Sequence, residues 1–406
     1  MPEDTNAIPI RELRLGEKAQ PVESGYMSVP ESTWGLASPL SAVPSAVNQC
    51  VADYFAASTQ EFAAIGSQFA HAISLLRDFT VDGGKRVRPM FAWAGIRAGV
   101  EGGGGSFDFP FPDATPDPQS LLTAISAMEF IQACALIHDD IIDQSDTRRG
   151  SPTTHRRFTA QHREHAWAGE SEHYGTSQAI LTGDLALAWA DDMFGMSGIS
   201  AQALRASRDP WRAMRTEVIA GQILDVTLEA NGSESVEDSL KVIEYKTASY
   251  TVARPLHIGA ALVGADEAVV NTLRQIGQDI GEAFQLRDDQ LGVFGKPEIT
   301  GKPSGDDLRT GKRTALINQA LINLAEAKGV KGGVEKLRNG LGTIDTEEEI
   351  DELRGVIVES GAAADIEEWI TRRSQRAIET IRGANLGAEI TEEMVDVTAK
   401  LSDRKY

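Results

Sequence analysis

Gln132-Ala133-Cys134-Ala135-Leu136-Ile137-His138-Asp139-Asp140-Ile141-Ile142-Asp143 closes a stretch that begins at Gln119, and its periodicity decides the fold. Leu122, Ile125, Met128, Ile131, Ala135 and Ile142 recur at helical spacing, most at steps of three to four residues, so residues 119–144 are predicted to form one long helix. Asp139 and Asp143 stand four apart and share a face of that helix, roughly 6 Å from one another. Acidic groups at a helix C-terminus oppose the macrodipole. A solvated acidic end is the ordinary alternative, but magnesium gives a stronger reason for them. It takes carboxylate, water and phosphate oxygens, commonly with one or two protein carboxylates and the rest of the shell from a substrate.

Working outward, the same arrangement recurs downstream. The apolar helical stretch 276–286 ends on Asp288-Asp289 and is followed by Gly301-Lys302-Pro303-Ser304-Gly305-Asp306-Asp307-Leu308 and Gly311-Lys312-Arg313-Thr314. Lysines interleaved with metal-binding aspartates make sense when a polyanion lies between them. The two aspartate pairs are therefore expected to face each other across a cavity and to hold magnesium against a diphosphate. Upstream, Gly83-Gly84-Lys85-Arg86-Val87-Arg88-Pro89 combines a turn freed by glycines, three cations and a proline suited to opening a helix. It suits a second diphosphate and lacks the spacing of a nucleotide-binding P-loop. Arg148-Arg149, just beyond the first acidic cluster, repeats the theme, with simple charge balance as the alternative.

Helical periodicity also covers residues 47–79, a helix after the basic turn up to about 98, one opened by 176–184, and 201–229, 235–263, 267–293, 315–324 and 351–386. Period-two runs are scarce, so the fold class is all-α. Residues 1–44 read as an irregular N-terminal extension, 45–406 as one domain, and 99–118, rich in Gly and Pro, as a loop inserted in it. Segment 148–175 is polar and carries His155, His162, His165 and His173; it has no obvious fourth ligand for zinc. The 406 residues hold 39 Lys+Arg against 60 Asp+Glu, a formal charge of −21, which disfavours nucleic acid and anionic lipid. Two cysteines, Cys50 and Cys134, give no disulfide framework, and with no secretory signal and no membrane span expected, the cytoplasm is the predicted compartment.

The ordered set of motifs resembles the trans-isoprenyl diphosphate synthases, the all-helical polyprenyl synthetase family. These motifs are the basic turn from Gly83 to Pro89, Asp139-Asp140-x-x-Asp143 with Arg148-Arg149-Gly150, Tyr245-Lys246-Thr247, Phe284-Gln285-x-x-Asp288-Asp289, and Gly301-Lys302 with Lys312. The likeness runs from about residue 46 to the C-terminus. It implies a single-domain antiparallel helix bundle around a deep central cavity, magnesium as cofactor, with three ions beside bound diphosphate, and a homodimer. Lys85, Arg88, Gln132 and Arg149 resemble the set that binds isopentenyl diphosphate. Asp139, Asp143 and Asp288 resemble magnesium ligands gripping an allylic diphosphate, and Asp307 a holder of metal-bound water. Arg148, Lys246, Lys302 and Lys312 resemble cations around that diphosphate, Thr247 and Gln285 polar groups beside the reacting carbons, and Gln222 with Asp225 a supporting pair.

One departure is that the second cluster ends in Gly292 where the family usually has a last aspartate. Product length is expected to depend on the side chains below the first cluster. Cys134 and Ala135 are small, no two-residue insertion separates Asp140 from Asp143, and the floor is placed near Ile131 or around Met90 to Trp93. Geranylgeranyl diphosphate is the expected product, with farnesyl or longer products as alternatives. A terpene cyclase would not need the second basic pocket, and a non-catalytic subunit would be expected to degrade the first cluster or the basic turn.

Overall fold

The structure is a computed structural model that describes residues 34–102, 117–295, 305–326 and 332–402. The chain runs through α1 (Val43–Glu61), α2 (Ser67–Val81), α3 (Val87–Glu101), α4 (Pro118–Ser126) and α5 (Met128–Ile142) to a short hairpin, β1 (Thr147–Arg148) paired with β2 (Ser151–Pro152). Next come α6 (Thr154–Glu164), α7 (Ser171–Gly195), α8 (Ala201–Asn231), α9 (Val236–Val242), a π-helical segment (Ile243–Ala253), α10 (Arg254–Leu262) and α11 (Glu267–Phe294). The remainder is α12 (Asp306–Thr310), α13 (Ala315–Glu326), α14 (Gly333–Gly340), α15 (Glu347–Glu359), α16 (Ala362–Gly383) and α17 (Ala388–Ser402). The fold is all-α. Its main core joins Val47, Phe91, Ile125, Leu256 and Ile280, and a second cluster, with Leu286, Leu308, Leu316, Ile357 and Ile370, lies under the C-terminal helices.

Several helices are shorter or longer than periodicity indicates. Residues 47–79 are two helices, because Gly66 takes φ 123°, a conformation only glycine adopts without strain. Residues 119–144 break at Ala127, where i→i+3 bonds replace the α ladder; Ser126 Oγ bonds back to Leu122 O one turn earlier, competing with it. Residues 351–386 divide at Gly361, φ 84°, and a Thr346–Glu349 capping box opens α15. The polar segment 148–175 contains α6, whose few apolar groups give a weak periodic signal. There His162 Nε2 lies 3.1 Å from Ala168 O, and its ring packs beside Trp167 and Tyr174. α17, with Ile390, Met394 and Leu401 buried, was not foreseen at all.

Residues 34–44 of the expected extension pack on the core, and residues 1–33 lie outside the described ones. Leu40 is buried, Trp34 packs tilted on Trp93 with centroids 4.7 Å apart, and Trp93 Nε1 donates to Ser38 O at 2.9 Å. Of the 99–118 loop, α3 takes residues as far as Glu101, and Asp117 caps α4 by accepting from Ser120 N at 2.8 Å; residues 103–116 lie outside the described ones. Contrary to the expectation that no stretch could span a membrane, Pro118–Ile142 is long and apolar enough by composition. Its most apolar window is 72% buried in the bundle, as a core helix would be.

Backbone contact draws the helices around the cavity. A Cβ on Gly95 would lie 2.2 Å from Leu256 O, and one on Gly259 1.9 Å from Ala92 O, so α3 and α10 cross with no room for side chains. The π segment is wedged in the same way: a Cβ on Gly221 of α8 would meet Lys246 N at 2.5 Å, and one on Gly281 of α11 would meet Ala248 Cα at 2.4 Å. π turns are rare and concentrate at functional sites. Here the segment carries Lys246 and Thr247. Gly259→Ala is expected to lower unfolding stability by about 1–3 kcal/mol through overpacking. Gly355→Ala, on an exposed helix face with open space around it, should raise stability by up to about 1 kcal/mol. Chemical denaturation of both variants reads the contrast.

Candidate active site

Asp139 and Asp143 share one face of α5, as their spacing requires, while Asp140 between them turns inward. Asp140 is fully buried; Arg148 Nε donates to its Oδ1 at 2.7 Å, and its Oδ2 has no partner. Burial pushes the Asp140 carboxyl up to about 6 despite Arg148. The short hairpin supplies that arginine, whose Nη2 also lies 3.5 Å from Asp139 Oδ2. Arg148 thus sits against the first cluster.

Asp139 meets two further elements. Gln222 Nε2 of α8 donates to its Oδ1 at 3.0 Å, and Lys246 Nζ of the π segment lies 3.3 Å away. The same ammonium donates to Asp225 Oδ2 at 2.6 Å. Burial works against the Asp139 charge, but Lys246, Lys312 and Arg148 outweigh it and lower its pKa. Burial likewise opposes the Lys246 charge, and Asp139 and Asp225 overcome it and raise its pKa. Lys312 Nζ stands 3.5 Å from Asp143 Oδ2, and the carboxylates of Asp143, Asp307, Asp139 and Asp225 hold it protonated against its burial.

α11 supplies Gln285, Asp288 and Asp289 to the cavity. Asp288, Asp289, Gln285, Thr247, Lys246, Asp225, Asp307, Lys312 and Lys85 line one cavity of about 630 Å³. Thr247 Oγ1 donates to Gln285 Oε1 at 2.8 Å, and Gln285 Nε2 donates to Asp289 Oδ1 at 2.8 Å. Asp289 is buried, and burial pushes its carboxyl up to about 8, with Gln285 opposing and Asp307 and Asp288 reinforcing the shift. Both members of the second pair line the cavity, but they are unlike: Asp288 is half-buried, whereas Asp289 is buried and tied to Gln285.

The departure at Gly292 has a steric counterpart. A Cβ there would lie 2.0 Å from Asp307 Oδ2 and 2.4 Å from Asp307 Cγ. The carboxylate of α12 therefore fills the space that a side chain at position 292 would enter. As to fit for a metal, Asp139, Asp143, Asp288 and Asp307 are hard oxygen donors grouped around two lysines. Among the described residues no three acidic, His or Cys side chains stand close enough to cage an ion alone. That suits magnesium, which keeps waters and takes oxygens from a substrate phosphate.

The basic turn is braced from within. Arg86, in the left-handed region at φ 50°, is a strut: its guanidinium donates to Glu129 at 2.5 Å, Asn48 Oδ1 at 2.6 Å and Thr80 O at 2.6 Å. This buried pair ties the turn to the start of α5, and Lys85 lines the cavity with Asp288 and Lys312. Arg88 Nη2 donates to Thr251 Oγ1 at 2.9 Å, and its Cζ lies 4.1 Å over the Tyr250 ring. Tyr250 hydroxyl donates to Gln132 Oε1 at 3.0 Å, and Arg149 Nη1 donates to Asp82 O at 3.2 Å, beside the glycines. The structure thus groups Asp139, Asp143, Arg148, Gln222, Asp225, Lys246 and Lys312 by direct contact, and Arg88 with Gln132 through Tyr250; Lys302 lies outside the described residues. Cys134 is buried with Sγ 3.7 Å from His138 Nδ1, and Ala135 is half-buried.

Sequence reasoning passed over Arg86, Glu129, Tyr250 and Glu229. Glu229 follows Gln222 by seven residues and so lies on the same face of α8; burial and Asp225 raise its pKa. That periodicity was available to find it. Nothing local announces Tyr250 or Glu129, whose partners are distant in the chain.

An all-α bundle whose cavity sets carboxylates of two helices among lysines, with a basic turn at its edge, defines a prenyltransferase of the helical type. The family model described as polyprenyl synthetase matches residues 71–344. The chain is 42% identical to a geranylgeranyl pyrophosphate synthase from Corynebacterium glutamicum, crystallised with isoprenyl diphosphate and magnesium. That structure superposes with a TM-score of 0.84 over 91% of this chain and 100% of the other. It is 34% identical over 249 residues to the geranylfarnesyl diphosphate synthase of Natronomonas pharaonis, covering 61% of this chain and 68% of that one. The corresponding figures for the geranylfarnesyl diphosphate synthase of Aeropyrum pernix are 33% over 284 residues, 69% and 77%. The chain belongs to the polyprenyl synthetase family.

Gly292→Asp, which writes the family's usual cluster back into the sequence, is expected to lower both the melting temperature and the condensation rate, because Asp307 already occupies the space. In an Asp307→Gly background the same change should cost less. Thermal melts and rate assays on the single and double variants compare the two.

Proposed function

We propose that the protein is a magnesium-dependent synthase that condenses isopentenyl diphosphate with dimethylallyl, geranyl or farnesyl diphosphate and releases mainly geranylgeranyl diphosphate. The observation that carries this is the meeting of two sets of cations at one set of carboxylates. Lys246, Lys312 and Arg148 stand among Asp139, Asp143, Asp225 and Asp288, while the basic turn adds Lys85, which lines the same cavity, and Arg88, held over Tyr250. A terpene cyclase has no use for the second group.

Asp139, Asp143 and Asp288, with Asp307 behind them, would hold magnesium, three ions when diphosphate is bound. Bound there, the metal draws negative charge from the departing diphosphate as a Lewis acid. Lys246, Lys312 and Arg148, with Lys302 from the same motif set, stabilise the charge that grows on that group as the allylic C–O bond breaks. Lys85, Arg88, Gln132 and Arg149 hold isopentenyl diphosphate, so its double bond is presented to the allylic carbon and the reaction becomes effectively unimolecular. Thr247 and Gln285, linked to each other, flank the reacting carbons. The electron pair of the double bond forms the new C–C bond, the allylic oxygen keeps the pair from the broken bond, and the released diphosphate takes the proton. Gln222 and Asp225 keep Asp139 and Lys246 in place.

Relatives named for geranylfarnesyl and for geranylgeranyl products share the family, so membership alone leaves length open. The floor expected around Met90 to Trp93 is not supported at Trp93, which turns toward Trp34 and Ser38. One turn below Cys134, Phe130 packs on Tyr54 and Phe55 with centroids 5.1 Å away and on Trp189 at 6.1 Å. Small side chains at Cys134 and Ala135 above this aromatic plug favour a product beyond C15 that still ends within the bundle. The reading takes residues 34–406 as one cytoplasmic catalytic domain and pairs two copies through apolar side chains left exposed on α7 and α8, Ile180, Leu181, Ile219 and Ile223.

Purified enzyme with magnesium, isopentenyl diphosphate and each allylic primer should give a C20 diphosphate by mass spectrometry; a dominant C15 or a C30 and longer product contradicts the length assignment. Chelation should abolish turnover, and Asp139→Ala should reduce it at least about 100-fold. Cys134→Phe should shorten the product. Leu181→Asp with Ile223→Asp should convert a dimeric mass in light scattering to a monomeric one.

A further inference from the structure

We propose that Tyr250 is the positioning residue of the isopentenyl-side pocket: it turns the amide edge of Gln132 toward the diphosphate and holds the Arg88 guanidinium over its ring. The proposal rests on the reading that Arg88 and Gln132 bind isopentenyl diphosphate. Tyr250 is 2% exposed and sits in the π segment between the two. Its hydroxyl donates to Gln132 Oε1 at 3.0 Å, and Arg88 Cζ lies 4.1 Å over its ring. The neighbouring Thr251 accepts from Arg88 Nη2 at 2.9 Å, while Arg88 Nε is buried and has no partner.

The polarity of this arrangement decides what the pocket can bind. A glutamine side chain offers an acceptor on one edge and two N–H donors on the other, and either edge could face the cavity. An oxygen edge would repel a diphosphate. Burial keeps the phenol protonated, and the guanidinium beside it favours the hydroxyl as a donor. With Oε1 committed to that donor, the planar amide points its N–H groups the other way.

The same ring restrains Arg88. A long side chain loses rotamer freedom when it engages a ligand, and that cost falls if the free protein already holds the bound conformation. The ring face and the Thr251 hydroxyl fix the guanidinium plane from two sides. The π segment makes this possible because it brings Tyr250 and Thr251, adjacent in the chain, against one arginine.

Steady-state kinetics on the full-length enzyme, with each substrate varied separately, test the proposal. Tyr250→Phe keeps the ring and removes the donor; it is expected to raise KM for isopentenyl diphosphate roughly tenfold, with kcat and the allylic KM changed less than about twofold. Gln132→Leu should raise the same KM, and the double variant should be no worse than Gln132→Leu alone, since the two act as a unit. KM is independent of the fraction of enzyme folded, so a partly unstable variant still reports. Thr251→Val is a second variant and should also raise KM for isopentenyl diphosphate alone. The proposal is overturned if Tyr250→Phe leaves that KM unchanged while Gln132→Leu and Arg88→Ala raise it, or if the Tyr250 and Gln132 effects multiply. If Gln132→Leu and Arg88→Ala themselves leave it unchanged, the assignment of the pocket is what fails.

Discussion

The ammonium of Lys246 lies 2.6 Å from Asp225 and 3.3 Å from Asp139, so α5, α8 and the π segment converge on a single charge. Taking such a charge out of water costs several kcal/mol, and the cost is met only when opposite charges surround it. Every feature of the cavity follows from keeping that balance. The π segment reaches the carboxylates because Gly221 and Gly281 let its backbone approach α8 and α11. Lys312 repeats the solution from the far side against Asp143.

The site is asymmetric for a steric reason. On the α5 side two aspartates project together, with the third pinned inward by Arg148. On the α11 side Asp288 lines the cavity and Asp289 belongs to the Thr247–Gln285 chain of hydrogen bonds. Where a further aspartate might have stood, Gly292 makes room for Asp307 from a separate short helix. Acidic density is thus kept while its source in the chain moves. The basic turn shows a related division of labour: Arg86 is spent on Glu129, Asn48 and backbone carbonyls to hold the turn, while Lys85 lines the cavity and Arg88 is held by Thr251 and the Tyr250 ring. A chain of formal charge −21 can therefore bind polyanions, because its cations are held locally by short-range contacts and bulk repulsion is screened over about 10 Å.

What the sequence determined by itself was whatever depends on local spacing. Helical periodicity established the class, and the i, i+4 step of Asp139 and Asp143 placed both on one face. The order of the charged motifs identified the family and several charged and polar residues of the cavity wall, among them Asp225, Lys246, Asp288 and Lys312. Boundaries were legible less well, since Gly66, Ala127 and Gly361 interrupt helices without interrupting apolar periodicity, and α17 was missed although its buried residues are spaced as a helix requires.

The tertiary structure alone decided which group meets which. Asp307 stands in for position 292 because two segments fifteen residues apart pack at a glycine. Glu129 neutralises Arg86, and Tyr250 joins Arg88 to Gln132, across separations of 43 and 118 residues in the latter two bonds as they run from Arg86 and from Gln132. Such contacts depend on how helices cross, and crossing is set by the volume of side chains on both partners. The first aspartate cluster could be read from its own helix; the shape, polarity and asymmetry of the space in front of it could not.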